Sequence, residues 1–142
     1  MKTTKSIYIP ELASKTLAQI DAAMASMTVT GCIDQINWPE LYPAAPQTTF
    51  TLAHTDQMLY VRYEVKGELP LSTKMNDLEL VNEDACVEIF IADQDNTHYW
   101  NFEFNPAGVC NASHRKERKM DVVRLNPEQL TSIQRYGQQL CA

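Results

Sequence analysis

The stretch from Thr48 to Val65 limits the possible folds of this chain more than any other segment. From Thr48 the apolar period is two, with Phe50 and Leu52 pointing one way and Thr49 and Thr51 the other. His54-Thr55-Asp56-Gln57 makes a turn and Met58 to Val65 returns. On the returning strand Leu59, Val61, Tyr63 and Val65 line one face, and Tyr60, Arg62 and Glu64 line the other. This is a β-hairpin with one apolar and one wet face. A lone hairpin is only marginally stable in water, so its apolar side must find further strands.

The chain supplies them. Ala85, Val87, Ile89 and Ile91 face inward on the next strand, with Asp84, Cys86, Glu88 and Phe90 facing the other way. Asp93-Gln94-Asp95-Asn96 is a turn signal. In the strand from His98 to Asn105, Trp100, Phe102 and Phe104 share a core face, and Tyr99, Asn101, Glu103 and Asn105 share the opposite one. Pro106-Ala107-Gly108 ends it. Residues 109–112 and 120–125 read as a further hairpin around a charged tip at 114–119. Leu17, Ile20, Met24 and Met27 recur at helical spacing within residues 11–27, and Asn126-Pro127 opens a second short helix with Leu130, Ile133 and Leu140 as its stripe. Pro39, Pro43 and Pro46 keep residues 37–46 as an ordered loop, in which Trp38 is expected as a plug over the end of the sandwich, with a sugar-stacking platform as the alternative, and residues 66–83 are irregular. Several antiparallel strands with one apolar face each need a second layer. The expected fold is therefore all-β, an antiparallel β-sandwich with short N- and C-terminal helices, forming a single domain over residues 1–142.

Charge narrows the function. The chain of 142 residues carries a formal net charge of -6, which disfavours partners bound through phosphates, whether nucleic acid or anionic lipid. The basic run His114-Arg115-Lys116-Glu117-Arg118-Lys119 reads as a solvated hairpin tip. No stretch is long and apolar enough for a membrane span, and no secretory signal is visible at residues 1–10. The default expectation is a cytoplasmic protein, with the periplasm or exterior left open. Cys32, Cys86, Cys110 and Cys141 form no CxxC pair and are expected to be reduced thiols. Asn111-Ala112-Ser113 fits a glycosylation acceptor, useful only to an exported protein.

Three strands set chemistry-bearing side chains on their non-core faces: Tyr60, Arg62 and Glu64; Cys86 and Glu88; Tyr99, Asn101, Glu103 and Asn105. If these strands are neighbours, Tyr60, Arg62, Glu88, Tyr99, Asn101 and Glu103 form a candidate ligand site. Carboxylates and amides accept from sugar hydroxyls, guanidinium donates to them, and an aromatic ring lies against the C–H face of a pyranose. Arg62 opposite Glu88 or Glu103 would equally form a cross-strand ion pair, so the pattern alone leaves both readings open.

The segment from Asp84 to Gly108, DACVEIFIADQDNTHYWNFEFNPAG, resembles the D-S-C-V-E-F-F-I … Y-Y-N-F-E-F-N-x-x-G block of the family 9 carbohydrate-binding modules. Ile36-Asn37-Trp38, Tyr42-Pro43, Phe50-Thr51-Leu52-Ala53-His54 and Tyr63-Glu64-Val65 with Gly67-Glu68 look like that family's upstream pattern, so the resemblance runs over roughly residues 30 to 125. It implies a β-sandwich, akin to the immunoglobulin and DOMON-like sandwiches, that binds carbohydrate through exposed aromatic and polar groups, with calcium in some members. Two departures stand out. The family continues past such a C-terminal helix into further strands, so a sandwich lacking these would offer an edge to a second copy and form a homo-oligomer. The aromatic that often precedes the acidic segment has no counterpart in Val81-Asn82-Glu83.

The function expected is non-catalytic binding of a mono- or oligosaccharide. The alternatives are an interaction or structural domain with no sugar ligand and, last, a glycan-processing enzyme. Glu88 and Glu103 would be the acid/base pair of such an enzyme, but a cleft and a raised pKa are also needed and the sequence shows neither. No cofactor is expected. Asp93, Asp95 and Asn96 have the hard oxygens of a calcium site, against which stands the simpler reading of a solvated turn.

Overall fold

The computed structural model describes residues 3–67, 69–117 and 120–137. Its elements are those of the expected all-β, antiparallel β-sandwich class, two four-stranded sheets with short helices toward both ends of the chain. The chain folds into two compact units, residues 1–69 and 70–142.

The first unit contains β1 (Ile7–Tyr8), a 3₁₀ turn (Pro10–Ser14), α1 (Leu17–Ala25), β2 (Gly31–Ile33), β3 (Gln47–His54) and β4 (Leu59–Lys66). The hairpin read from the sequence is β3–β4, with Phe50 opposite Tyr63 and Ala53 opposite Tyr60. At its turn the Thr55 hydroxyl accepts from the N–H groups of Gln57 and Met58. The other edge of β3 is shared, since β1 runs parallel along its C-terminal end and β2 antiparallel along its N-terminal half. Gly31 of β2 faces Phe50, whose ring comes so close that a Cβ at Gly31 would sit 2.7 Å from it.

One helix was expected over residues 11–27, but two segments form. Pro10 opens the 3₁₀ turn, and α1 starts afresh at Thr16, whose hydroxyl accepts from Gln19 N–H while the Gln19 side chain accepts from Thr16 N–H. The apolar stripe of α1 lies on the β3–β4 hairpin: Ile20 and Met24 are buried with Leu12 and Ala53, and Tyr60 packs against them. This corrects the expectation of a wet face at Tyr60 and Arg62. The small side chains Thr49, Thr51 and Ala53 leave that side of β3 shallow, and a helix with an apolar stripe fills it.

The second unit runs through a 3₁₀ turn (Val81–Glu83), β5 (Val87–Ala92), β6 (Tyr99–Phe104), β7 (Cys110–Arg115), β8 (Val123–Arg124) and α2 (Pro127–Leu130). The four strands form an antiparallel meander in chain order. Trp100, Phe102 and Phe104 pack with Cys110, Ala112, Leu125 and Leu130, so the tryptophan is a core residue as its alternation suggested. Asn126 caps α2 with Gln129 completing the box, but α2 is a single turn. The hydroxyls of Thr131 and Ser132 bond back to the carbonyls of Glu128 and Gln129 and close it, and Leu140 lies outside the described residues.

The long polar segment before β5 is tied down by two carboxylates. Asp84 accepts from Thr73 N–H and hydroxyl, Lys74 N–H and Asn105 Nδ2, all at 2.7–2.9 Å. Burial pushes its pKa up, but these donors outweigh that and hold it well below the ordinary value of 3.8. Asp77 accepts from Cys110 N–H and takes a two-pronged bond from Arg135, which also donates to Gly108 O. The Arg135 bond is the main reason its carboxyl is held below the usual range. Between these anchors Leu78 adopts φ +71°, a left-handed conformation uncommon for leucine. Its N–H is fixed to Cys110 O and its carbonyl accepts from Arg124.

Candidate functional site

The registers of the second sheet settle which side chains share its polar face. Glu88, Glu103 and Asn111 stand opposite one another in one row. The next holds Phe90, Asn101, Ser113 and Arg124, and the third Ala92, Tyr99 and Arg115. Rows two residues apart along a strand lie roughly 6.5–7 Å apart, so the three span about 13 Å, the scale of one or two pyranose rings.

The floor of this face is polar and buried. Asn101 is 2% exposed and Ser113 is also buried, because both sit on inner strands between longer neighbours. Phe90, on the edge strand β5, stands proud at 59% exposure and its ring lies 5.9 Å from that of Tyr99, tilted by 53°. Asn101 Nδ2 donates to Glu88 at 3.5 Å, and Asn111 Nδ2 donates to the buried Glu103 at 2.6 Å. Arg124 donates to Asn111 Oδ1 at 2.8 Å, which ties the short edge strand β8 to the network. Arg115 Nε donates to Ser113 Oγ at 2.7 Å, drawing its guanidinium over the middle row.

The face has a charge gradient. At the Glu88–Glu103 end the thiol of Cys86 is pushed up to about 11, first by burial and then by the nearby charges of Glu88, Glu103 and Asp84. It is a neutral thiol at physiological pH. Arg115 starts from the opposite row, beside Tyr99, and its guanidinium reaches the middle row at Ser113. Hydroxyl acceptors thus lie at one end and Tyr99 at the other, with Phe90 and the Arg115 guanidinium between them.

Of the six residues expected to make the site, the structure brings Glu88, Tyr99, Asn101 and Glu103 onto this one face. Tyr60 and Arg62 belong to the other sheet. Tyr60 packs against the α1 core, and Arg62 is ion-paired with Asp21 of α1 at 2.9 Å and with Glu64 at 3.0 Å. The condition that β4 neighbours β5 and β6 is not met within a sheet, because a helix and a long polar segment separate the two pairings. Sequence reasoning passed over Phe90, Ser113, Arg115 and Arg124. Phe90 had already been assigned to the correct face of its strand. The alternation of Asn111, Ser113 and Arg115 was readable too, but Arg115 was assigned to the charged tip, although β7 extends to it.

Other sequence candidates fall elsewhere. Trp38 is 57% exposed on a turn closed by Leu41 and Tyr42 N–H bonds to its carbonyl, so it does not plug a core. In the turn after β5, Asp95 accepts from Thr97, Asn96 sits at φ +56°, and Asp93 lies 3.7–3.8 Å from His98 and His114. Among the described residues no group of three or more His, Cys, Asp or Glu side chains is arranged to hold a metal ion. Among them, too, no helix is long and apolar enough to cross a membrane.

Comparison with known proteins shows the family of the chain. The model of carbohydrate-binding family 9 matches residues 18–139. A crystal structure from Bacteroides uniformis, of a "putative carbohydrate-binding protein", is similar with a TM-score of 0.78 and 26% sequence identity. The match covers 89% of this chain but 57% of that one, so the chain spans little more than half the length of its structural relative. No curated protein matches.

Proposed function

The chain belongs to carbohydrate-binding family 9, and from that premise we propose that it binds a mono- or oligosaccharide, without cleaving it, on the polar face of the β5–β8 sheet. The observation that carries this reading is the exposed Phe90 ring, against the half-buried Tyr99, set beside a buried floor of amide, hydroxyl and carboxylate. An apolar ring takes the C–H face of a pyranose, and fixed acceptors take its equatorial hydroxyls. Because Asn101 and Glu103 are already held by neighbours, little ordering is needed when a sugar arrives.

Glu88 and Glu103 do not suit hydrolysis. They stand side by side in one cross-strand row and so meet a ligand from the same side. A glycosidase needs its two carboxyl groups to flank the scissile bond. Here the pair reads better as two adjacent acceptors for neighbouring hydroxyls.

Titrating the ¹⁵N-labelled protein with a panel of methyl glycosides and short oligosaccharides tests the proposal. The expected result is saturable shifts confined to the amides of β5, β6 and β7. No response from any sugar at millimolar concentration would refute it, and release of reducing ends would refute the non-catalytic part.

A further inference from the structure

We infer that this face prefers a sugar bearing a carboxylate, a uronic acid, over its neutral counterpart; the inference rests on the carbohydrate reading above. It is carried by Arg115. Only Nε of its guanidinium is engaged, with Ser113, and among the described residues neither terminal nitrogen has a partner. No carboxylate of the described residues lies within ion-pairing distance of it. The other arginines among the described residues differ: Arg62 and Arg135 are paired with carboxylates, and Arg124 ties the β8 edge to Leu78 and Asn111.

An unpaired, half-buried guanidinium lying over the binding face is unusual, since arginine in such a place normally acquires an anion. Its bond to Ser113 fixes the plane and leaves the Nη1/Nη2 fork open, which matches the two oxygens of a planar carboxylate. Tyr99 stands opposite Arg115 in the same row, and Phe90 beside Tyr99. A pyranose resting on those rings with its C5 carboxylate toward Arg115 would turn its hydroxyl edge toward Glu88 and Glu103. The reverse orientation sets the carboxylate against two carboxylates. The bond to Ser113 sets the guanidinium over the middle row, roughly 6.5–7 Å from the row of Glu88 and Glu103. That is within the screening length of about 8 Å at physiological salt, so the acidic row disfavours a carboxylate turned toward it and leaves the Tyr99 side of Arg115 as the place for the anion. The gradient thus fixes both the class of sugar and its direction.

The test compares methyl glucuronide and methyl galacturonide with the matching methyl glucoside and galactoside, and with the methyl esters of the two uronates. At low salt, at least one uronate is expected to bind about tenfold more tightly than its neutral partner and its ester, with the advantage shrinking at high salt. Arg115→Gln is expected to erase that advantage, so that each uronate, its ester and its neutral counterpart bind alike. Equal or weaker binding of both uronates, or an advantage that survives Arg115→Gln, overturns this inference and leaves the carbohydrate reading standing. Silence from every sugar overturns both. If Arg115→Gln fails to fold, acid against ester on the unmodified protein still decides.

Discussion

Asn105, just past the end of β6, gives the sharpest test of how the polar segment before β5 is held. It is 5% exposed and makes three contacts: Nδ2 to Lys74 O at 2.9 Å, Nδ2 to Asp84 at 2.9 Å, and Oδ1 from Val109 N–H at 3.0 Å. In Asn105→Ala the two backbone bonds are lost, at a net cost of about 1 kcal/mol each. Val109 is itself buried, so an N–H left without an acceptor adds roughly 1–2 kcal/mol. The total is about 3–4 kcal/mol before the Asp84 contact is counted, a large share of the ~5–15 kcal/mol that holds a typical domain. Urea unfolding followed by fluorescence should show the midpoint falling with little change in slope, and the melting temperature should fall by roughly 10 °C. Asn105→Asp is a sharper variant. It keeps the shape and the acceptor for Val109 but sets a carboxylate against Asp84, so it should lose at least as much at neutral pH and recover in part on acidification. A loss below about 1 kcal/mol in Asn105→Ala would mean that solvent replaces all three bonds. The assignment of Asn105 as the tie between the segment and the sheet would then be wrong.

Three further outcomes are expected. Phe90→Ala should abolish the sugar response while costing at most about 1 kcal/mol of stability, because the ring is largely exposed; retention of binding would exclude it as a platform. Arg62→Ala should leave sugar titrations unchanged and cost about 1 kcal/mol in unfolding, since it removes a partly exposed ion pair to α1; a loss of sugar affinity would return Arg62 to the site. Acid unfolding should follow Asp84 and Asp77. Both are depressed in the folded state, so their contribution is whole above the ordinary value of 3.8 and drains away as pH falls through their folded values, a trend that Asp84→Asn should flatten in denaturation curves at stepped pH.

Strand existence and which side chains share a side were legible because period-two alternation is a local property, as in β3, β4 and β6, but which side of β4 is covered was not: Leu59 and Val65 are exposed and Tyr60 meets α1. Which strands become neighbours is not local. Nothing in Tyr60-Val61-Arg62 says that its other side meets a helix, since that depends on Ala53 and the threonines of β3 leaving space for Ile20 and Met24. For the same reason half of the polar face was found and half was not. Glu88, Asn101 and Glu103 lie on strands whose alternation is strong, whereas β7 reads Cys-Asn-Ala-Ser-His-Arg, with little apolar contrast to mark its phase or its end. Asp84 looked like one more member of an alternating strand, but its four donors come from Thr73, Lys74 and Asn105, positions no periodicity connects.

The meander connectivity of β5 to β8 also bears on how fast the polar face can form. Every pairing that builds it joins strands consecutive in the chain, so each closes a short loop at small entropic cost. The first sheet differs: its β3–β4 hairpin is local, but β1 must bring Ile7 to Ala53 and Tyr8 to His54, one of the longest closures in the chain. Contacts of short sequence separation form sooner than distant ones. The rows holding Glu88, Asn101 and Arg115 should therefore gain amide-exchange protection in refolding before β1 docks along β3, and the surface proposed to bind sugar would be among the earliest parts of the molecule to exist.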